Sequence, residues 1–204
     1  MRLVKGANLA MELVDAELHG WSAAPYGSKA DVDASYKALL EALLCPQWAD
    51  AVRVGVASHN LFDLAFAVLL GRELVATERM DIEMLEGMAP AQARVVLEWI
   101  GAARMYSPVV ADEDFDASIA YLARRLDENT QPDNFLRALF TLRPDTPEFN
   151  RQADACRTAI VARHGVCDQR RRRPTQPAPG VGVTCFENEP DTDFTDPVAR
   201  RHAI

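Results

Sequence analysis

The chain contains 204 residues, enough for one domain with or without a tail. Hydrophobic residues make up 49% of it and charged residues 25%, which excludes a wholly disordered chain. The net charge of −8 argues against a general nucleic-acid binder. No apolar run reaches the ~18–20 residues of a membrane-spanning helix, and the first residues lack the layout of a signal peptide.

Strands and helices are predicted to alternate along the first part of the chain. Apolar spacing and turn residues predict, in chain order, a strand over Leu3–Ala7, a helix over Met11–Leu18, a loop over Gly20–Lys29, a helix ending near Leu44, a strand over Val52–His59 and a helix over Asn60–Leu70. Asp31 or Asp33 can cap the second helix, and Gly71 is placed to end the third.

The alternation continues beyond residue 80. The pattern predicts a strand over Asp81–Met88, a helix over Ala89–Ile100, a strand over Ala103–Val109, a helix ending at Asn129, a short helix over Asn134–Leu142 and a helix that begins at Thr146 and ends near His164. Pro90 suits the first turn of its helix, and Asp112 or Asp114 can cap the next one. We predict domain boundaries at 1–142, 143–165 and 166–204, the last segment being a mostly disordered linker.

Strands that alternate with helices indicate parallel βαβ units and an α/β fold. Two architectures fit, a doubly wound sheet and part of a (β/α)8 barrel. Each predicted strand ends in polar or glycine residues, as barrel strands do where they carry the chemistry. A GxGxxG turn and a P-loop are both absent. This favours the C-terminal half of a TIM-like barrel, with four βα units of the eight that a complete barrel needs.

The cysteines give no metal or redox motif. Cys45, Cys156, Cys167 and Cys185 form no CxxC pair, and no HxxxH spacing is present, so no metal site is predicted. Reduced thiols in a cytoplasmic protein are the simplest interpretation.

Two neighbouring arginines on a predicted helix are candidates for ligand binding. Tyr121, Arg124, Arg125 and Glu128 share a face over two turns. The arginines could hold a carboxylate by bidentate hydrogen bonds while the tyrosine covers an apolar part of the ligand. A solvated helix with an Arg124–Glu128 ion pair is the alternative.

Three further groups of polar residues allow both a functional and a structural interpretation. His59, between Ser58 and Asn60, could meet a ligand or serve the structure. Arg2 and Lys5 in the first strand suggest an anionic ligand such as a flavin, or an ion pair within the protein. The run Arg170–Arg173 could touch an acidic partner, but in an acidic chain a solvated linker is the expectation.

Five segments together resemble a known family. They are Arg2–Glu12 (RLVKGANLAME), Val54–Asp63 (VGVASHNLFD), Glu83–Met88 (EMLEGM), Arg104–Val109 (RMYSPV) and Ala120–Thr130 (AYLARRLDENT). In this order they resemble the C-terminal half of the proline dehydrogenase barrel in the bifunctional proline utilization A flavoenzymes. The resemblance implies FAD as cofactor, oxidation of L-proline to Δ1-pyrroline-5-carboxylate, and electron transfer to a membrane quinone. It further implies a cytoplasmic protein with peripheral membrane association.

The resemblance also implies roles for individual residues. Arg124 and Arg125 would bind the proline carboxylate, and Tyr121 and Tyr106 would lie beside the proline ring. The residues implied in flavin binding are Arg2, Val4, Gly6, Ala7, Lys29, Ser58, His59, Asn60, Leu85 and Glu128. Much of the family has Tyr and Trp where this chain has Asn8 and Leu9, which loosens the implied flavin contacts there.

Two parts of the family pattern have no counterpart in the sequence. The N-terminal half of the barrel, which supplies a lysine, an aspartate and a glutamine, is missing. Phe186–Phe194 resembles the linker to an aldehyde dehydrogenase domain that oxidises pyrroline-5-carboxylate to glutamate, and that domain is missing too. We therefore expect a fragment. Alone it would be inactive, or would act as a complementing half with exposed edge strands. A non-catalytic module that binds another carboxylate is a third hypothesis.

Overall fold

Four short parallel strands form the sheet at the centre of the fold. They are β1 (Arg2–Leu3), β2 (Val54–Ala57), β3 (Met80–Leu85) and β4 (Arg104–Tyr106). Their order in the sheet follows the chain, β1-β2-β3-β4, with Leu3 opposite Val56 and Leu85 opposite Tyr106. The predicted α/β class with a parallel sheet is confirmed, whereas the assignment to half of a barrel stays a prediction.

Eight α-helices accompany the strands in the described part of the chain. They are α1 (Leu9–Leu18), α2 (Lys29–Leu44), α3 (Leu61–Glu73), α4 (Pro90–Ile100), α5 (Phe115–Thr130), α6 (Phe135–Leu139), α7 (Pro147–Ala162) and α8 (Pro197–His202). Short 3-10 turns cover Pro46–Trp48, Thr77–Arg79 and Asp112–Asp114. Each predicted helix is present, with ends that differ by a few residues, and α8 adds a helix to the predicted linker.

The computed structural model describes residues 1–6, 8–130, 134–139, 141–172, 192, 194 and 197–202, without the side chains of Glu128, Ala199 and His202. The chain divides into two units. The first comprises Met1–Ala7 and Gly27–Cys167, and it contains the sheet. The second comprises Asn8–Tyr26 and Asp168–Ile204. The predicted domain boundaries stay predictions.

The core of the first unit lies between one face of the sheet and the helices. Val54 and Val56 of β2, Leu40 of α2 and Leu64 of α3 are all completely buried. Ile82 of β3 joins the same cluster. Each such aliphatic side chain contributes roughly 1.5–3 kcal/mol on burial. Because side chains alternate along a strand, the residues between these core positions point to the opposite face of the sheet.

Helix α2 begins at a serine rather than at an aspartate. The Ser28 hydroxyl accepts a hydrogen bond from the Asp31 backbone N–H at 3.1 Å, so the predicted cap at Asp31 or Asp33 was wrong. Asp33 lies in the second turn of the helix, with its carboxylate in an ion pair. Serine ahead of an acidic first turn is itself a favourable start, since the oxygen satisfies an unpaired N–H.

Helix α3 does not end at Gly71, as predicted, but continues to Glu73. Gly71 is buried in the helix, where a Cβ would lie 3.3 Å from the Met80 Cε atom. The residue with left-handed backbone is Val75, at φ 53°. The Ala76 N–H binds the Gly71 carbonyl at 2.7 Å and the Val75 N–H binds the Arg72 carbonyl at 3.3 Å. This is a Schellman ending with valine where glycine is usual.

The strands are shorter than the sequence predicts because pairing stops before the polar residues at their carboxyl ends. β1 ends at Leu3, β2 at Ala57 and β4 at Tyr106. The residues that follow are loops, and those after β1 and β2 carry part of the predicted site, namely Val4, Gly6, Ser58, His59 and Asn60.

In the second unit, arginines pack on aromatic rings. The Arg171 guanidinium lies 3.5 Å from the centre of the Tyr26 ring, and that of Arg172 lies 3.8 Å from the Trp21 ring. The Arg171 Nε group also donates to the Ala24 carbonyl at 3.0 Å. These two arginines are therefore not the solvated linker that we expected, because their planar cations stack on π faces. Arg173, and Cys185 with most of Phe186–Phe194, lie outside the described residues.

Candidate functional site

The candidate site lies on the face of the sheet opposite the core. Strand alternation and register place Arg2, Glu83, Arg104 and Tyr106 on this face, whereas Leu3 and Ile82 face the helices. Glu83 is 8% exposed and Tyr106 is half-buried. The face is thus polar and aromatic in a sheet whose other face is wholly apolar. Polar side chains at this face and at the strand ends suit ligand binding.

Arg2 and Glu83 form an ion pair that crosses one strand. The Arg2 Nε group donates to the Glu83 carboxylate, although β1 and β3 are separated by β2. Gly55 of β2 makes this possible, because a Cβ there would lie 2.8 Å from the Glu83 Cδ atom. Arg104 adds a weaker contact, with its Nε 4.0 Å from Glu83 Oε1. The sequence assigned no role to Glu83 or Gly55, although each lies in a segment that carries the family resemblance.

A line of cations and rings leads from β1 to α5. The Arg2 guanidinium lies 4.8 Å from the centre of the Tyr106 ring. The Tyr106 ring meets the Tyr121 ring edge to face at 6.3 Å, and the Arg125 guanidinium lies 5.0 Å from the Tyr121 ring. The structure thus brings together four residues that the sequence assigned to two different ligands. Arg124, the fifth candidate here, is exposed on α5.

His59 links the ends of two strands. Its Nε2 atom accepts a hydrogen bond from the Leu85 backbone N–H at 2.9 Å, and Gln92 donates to its carbonyl. Because Nε2 accepts, the proton of the neutral ring is assigned to Nδ1. Burial lowers the pKa of His59, which favours this neutral form. Its Nδ1 atom is buried and has no hydrogen-bond partner among the described residues.

The other polar residues at the end of β2 serve the backbone. The Asn60 side chain accepts from the Phe62 N–H at 2.9 Å and so caps α3. The Ser58 hydroxyl accepts from the Asn60 N–H at 3.0 Å. A structural role is therefore present for both, beside any role in binding a ligand.

Lysines and aspartates form a network behind the site. Lys5 Nζ lies 2.5 Å from both Asp33 Oδ1 and Asp63 Oδ2. Lys37 lies 2.8 Å from Asp63, and Lys29 lies 2.5 Å from Asp33. The predicted flavin contact Lys29 thus already holds a carboxylate, and for Lys5 the ion-pair alternative is confirmed.

The network keeps Lys5 and Asp33 charged. Burial alone lowers the pKa of Lys5, but the charges of Asp63 and Asp33 outweigh it, and the pKa is raised. Burial alone raises the pKa of Asp33, but Lys5 and Lys29 outweigh it, and the pKa is lowered. The network therefore fixes the loop after β1 to α2 and α3.

The remaining predicted flavin residues lie near the start of the chain, at the end of β3 and on α5. Val4 is 57% exposed, and Gly6 adopts the left-handed backbone at φ 78°, which favours glycine. Leu85 is half-buried and is joined to His59 through its N–H. Ala7 and the side chain of Glu128 lie outside the described residues.

Over the residues that the structure describes, no cluster of three or more His, Cys, Asp or Glu side chains could hold a metal ion. Among the same residues, no helix is both long and apolar enough to cross a bilayer.

The fold and the site define an α/β protein with a candidate ligand site on a parallel sheet and its strand ends. Comparison with known sequences makes this more specific. The sequence model of the family Pro_dh, proline dehydrogenase, matches residues 1–138. The chain therefore belongs to the proline dehydrogenase family, whose members are oxidoreductases. No curated protein matches it.

Solved structures similar to this chain are proline utilization A (PutA) proteins. PutA from Corynebacterium freiburgense is 40% identical with a TM-score of 0.75, and the match covers 99% of this chain and 18% of that one. PutA from Bdellovibrio bacteriovorus, inactivated by N-propargylglycine, is 30% identical with a TM-score of 0.70, covering 98% and 19%. A PutA with proline bound in remote sites is 25% identical with a TM-score of 0.58, covering 83% and 17%. The chain thus spans about a fifth of the length of these proteins.

Proposed function

We propose that this chain supplies the substrate-binding arginines and part of the flavin-binding surface of a proline dehydrogenase that oxidises L-proline to Δ1-pyrroline-5-carboxylate. The observation that carries the proposal is the line Arg2–Tyr106–Tyr121–Arg125, which joins β1, β4 and α5 in a chain of this family. A flavin, when bound, supplies the two-electron acceptor for the reaction.

Residues of α5 and β4 hold and orient the substrate. Arg124 and Arg125 bind the proline carboxylate, since a guanidinium matches a carboxylate with two parallel hydrogen bonds. Tyr121 and Tyr106 form an apolar wall beside the proline ring and exclude water. A substrate fixed at one end presents its ring carbon in a constant position, which accelerates transfer of hydride. Loss of that hydride and of the N–H proton leaves the C=N bond of the product.

The residues present fit FAD. The buried Nδ1 donor of His59 needs an acceptor, and a flavin nucleotide is rich in acceptors. Arg2 lies on the open face of the sheet with Val4 and Gly6 next along the chain. Lys29 retains donors beyond its bond to Asp33, and Ser58 and Asn60 are beside His59. Ala7, Leu85 and Glu128 complete the proposed flavin set.

The proposed setting is proline catabolism towards glutamate. Electrons would pass to a membrane quinone, and an aldehyde dehydrogenase domain would consume the product. This setting implies a cytoplasmic protein that associates with the membrane surface.

A second candidate is that the chain alone has no turnover and acts only with a complementary half. The sheet described here has four strands, whereas a complete barrel takes eight. The match also covers 18% of the C. freiburgense protein. The strands β1 and β4 are edges of the described sheet and would pair with further strands.

The test uses the purified chain and a chimera in which it replaces the matched segment of C. freiburgense PutA. We expect proline-dependent dye reduction by the chimera, and an increase of at least about tenfold in KM for proline on Arg124→Met, with flavin still bound. An unchanged KM would contradict the carboxylate assignment. Stoichiometric flavin and turnover in the purified chain would instead contradict the second candidate.

A further inference from the structure

Glu83 sets the orientation of Arg2, and nothing in the sequence motifs assigns it a role. Its side chain is 11% exposed and reaches across β2 to the Arg2 Nε group. The Arg2 side chain is 45% exposed, so this cation is only partly screened by water. Glu83 therefore fixes a guanidinium that would otherwise sample many rotamers.

Glu83 binds the Nε group of Arg2, and this choice of atom decides which N–H donors of the arginine remain for a ligand. A guanidinium has five N–H groups in a rigid plane, and the bond to Glu83 uses the one at Nε. No hydrogen bond to Nη1 or Nη2 of Arg2 is found among the described residues. The plane lies against the Tyr106 ring, which fixes its tilt. The Nη edge is thus oriented and available on the site face.

The Glu83 carboxylate occupies the space that a side chain at position 55 would fill. Gly55 is the partner of Arg2 in the β1–β2 register, and it lies between the two charged residues. A Cβ at this position would come within 2.8 Å of Glu83 Cδ, closer than real Cβ contacts. The φ of Gly55 is not in the left-handed region, so the need for glycine here is steric rather than conformational.

We propose that Glu83, seated over Gly55, is a positioning residue that holds Arg2 by Nε so that its Nη groups can donate to a bound flavin. The identity of the ligand as a flavin rests on the proposed function, whereas the Arg2–Glu83 pairing does not. Glu83 also lowers the cost of gathering Arg2 and Arg104 on one face, since its carboxylate lies between two cations.

The pairing is tested on the 204-residue chain without flavin. We expect a slowly exchanging Nε–H resonance in the proton–nitrogen spectrum, assigned by its loss in Arg2→Lys. It should persist in Glu83→Gln, whose amide oxygen still accepts, and disappear in Glu83→Leu. Persistence in Glu83→Leu would overturn the proposal.

The effect on the ligand is measured as FAD affinity of the C. freiburgense PutA chimera, by quenching of flavin fluorescence. We expect Glu83→Leu to weaken binding about tenfold, because an arginine that must be ordered on binding donates less effectively. Glu83→Gln should stay within about threefold of wild type. Asp81→Asn is the matched control, since Asp81 is on the same face of β3 but pairs with Arg53 at 2.6 Å. A loss with Asp81→Asn equal to that of Glu83→Leu would overturn the proposal.

A double-mutant comparison distinguishes the steric role of Gly55 from general damage to the strand. Gly55→Ala should displace Glu83, with loss of the Arg2 resonance and of FAD affinity, but should add nothing in a Glu83→Ala background. An equal effect of Gly55→Ala in both backgrounds would overturn the steric argument. If the wild-type chain shows the Arg2 resonance but the wild-type chimera binds no FAD, the proposed function and this use of Arg2 are contradicted, while the Arg2–Glu83 pairing stands.

Discussion

Lys37 and Asp63 form a fully buried ion pair, with Nζ 2.8 Å from Oδ1 and side chains 1% and 2% exposed. The pair joins α2 to α3 beneath the site, and Lys5 binds the second oxygen of Asp63 at 2.5 Å. A buried ion pair of this kind is a weak source of net stability, yet removal of one partner leaves an uncompensated charge. The network therefore makes the position of Lys5, and with it the end of β1, dependent on both helices.

Lys37→Met should destabilise the fold by about 3 kcal/mol, because Asp63 keeps only Lys5 as a counter-charge. The measurement is the free energy of unfolding in urea. Lys29→Met is the control, since Lys29 is 45% exposed and its pair with Asp33 should be worth at most about 1 kcal/mol. Equal destabilisation by the two variants would contradict the buried network.

Val75→Gly should stabilise the fold by about 1 kcal/mol, because it removes a β-branched residue from left-handed backbone. Val75 is 92% exposed, so little packing is lost. Gly101→Ala is the matched opposite change, since Gly101 ends α4 at φ 80°. This variant should be about 1 kcal/mol less stable than wild type. Both are measured as shifts of the urea midpoint. A destabilised Val75→Gly would show that α3 does not end in this way.

The limits of prediction from the sequence are visible at these residues. Apolar periodicity located the helices because it records which face is buried, and Thr146 and Pro90 marked two helix starts correctly. Valine at position 75 gives no sequence signal for a helix end, whereas glycine at position 71 does, so the sequence predicts the end of α3 at Gly71. The placement of helix ends depended on packing that local patterns do not contain.

The candidate site likewise has a part that the sequence predicts and a part that depends on the packing of distant residues. The motif around Arg124 and Arg125 is local, and a resemblance could locate it. The pairing of Arg2 with Glu83 joins residues 81 positions apart and depends on the missing side chain of Gly55. Such a contact follows from strand order and register, which sequence patterns do not specify. The Lys5 network likewise needed the packing of α2 and α3 to be known.

Tyr121 should act through its ring. Tyr121→Phe keeps the edge contact with Tyr106 and the face under Arg125, so the chimera should keep a KM for proline within about twofold of wild type. Tyr121→Leu removes both, and we expect KM to rise about tenfold because Arg125 loses its support. Steady-state kinetics decide between these outcomes. A large effect of Tyr121→Phe would assign the function to the hydroxyl group instead.

His59 should make the stability of the chain depend on pH between 5 and 8. Burial lowers its pKa in the folded state, while the unfolded value is about 6.5. The unfolded chain therefore binds more protons below about pH 6.5, and stability falls as the pH falls through that value. Protonation of Nε2 would also break the bond from the Leu85 N–H.

The variant His59→Gln separates this titration from the others. Glutamine can offer an oxygen to the Leu85 N–H and does not titrate, so its free energy of unfolding should change less between pH 8 and pH 5.5 than that of wild type. The lowered pKa values of Asp33 and Asp81 act below about pH 4 and leave this window unaffected. Parallel profiles for wild type and His59→Gln would mean that His59 is not held in the neutral form by burial.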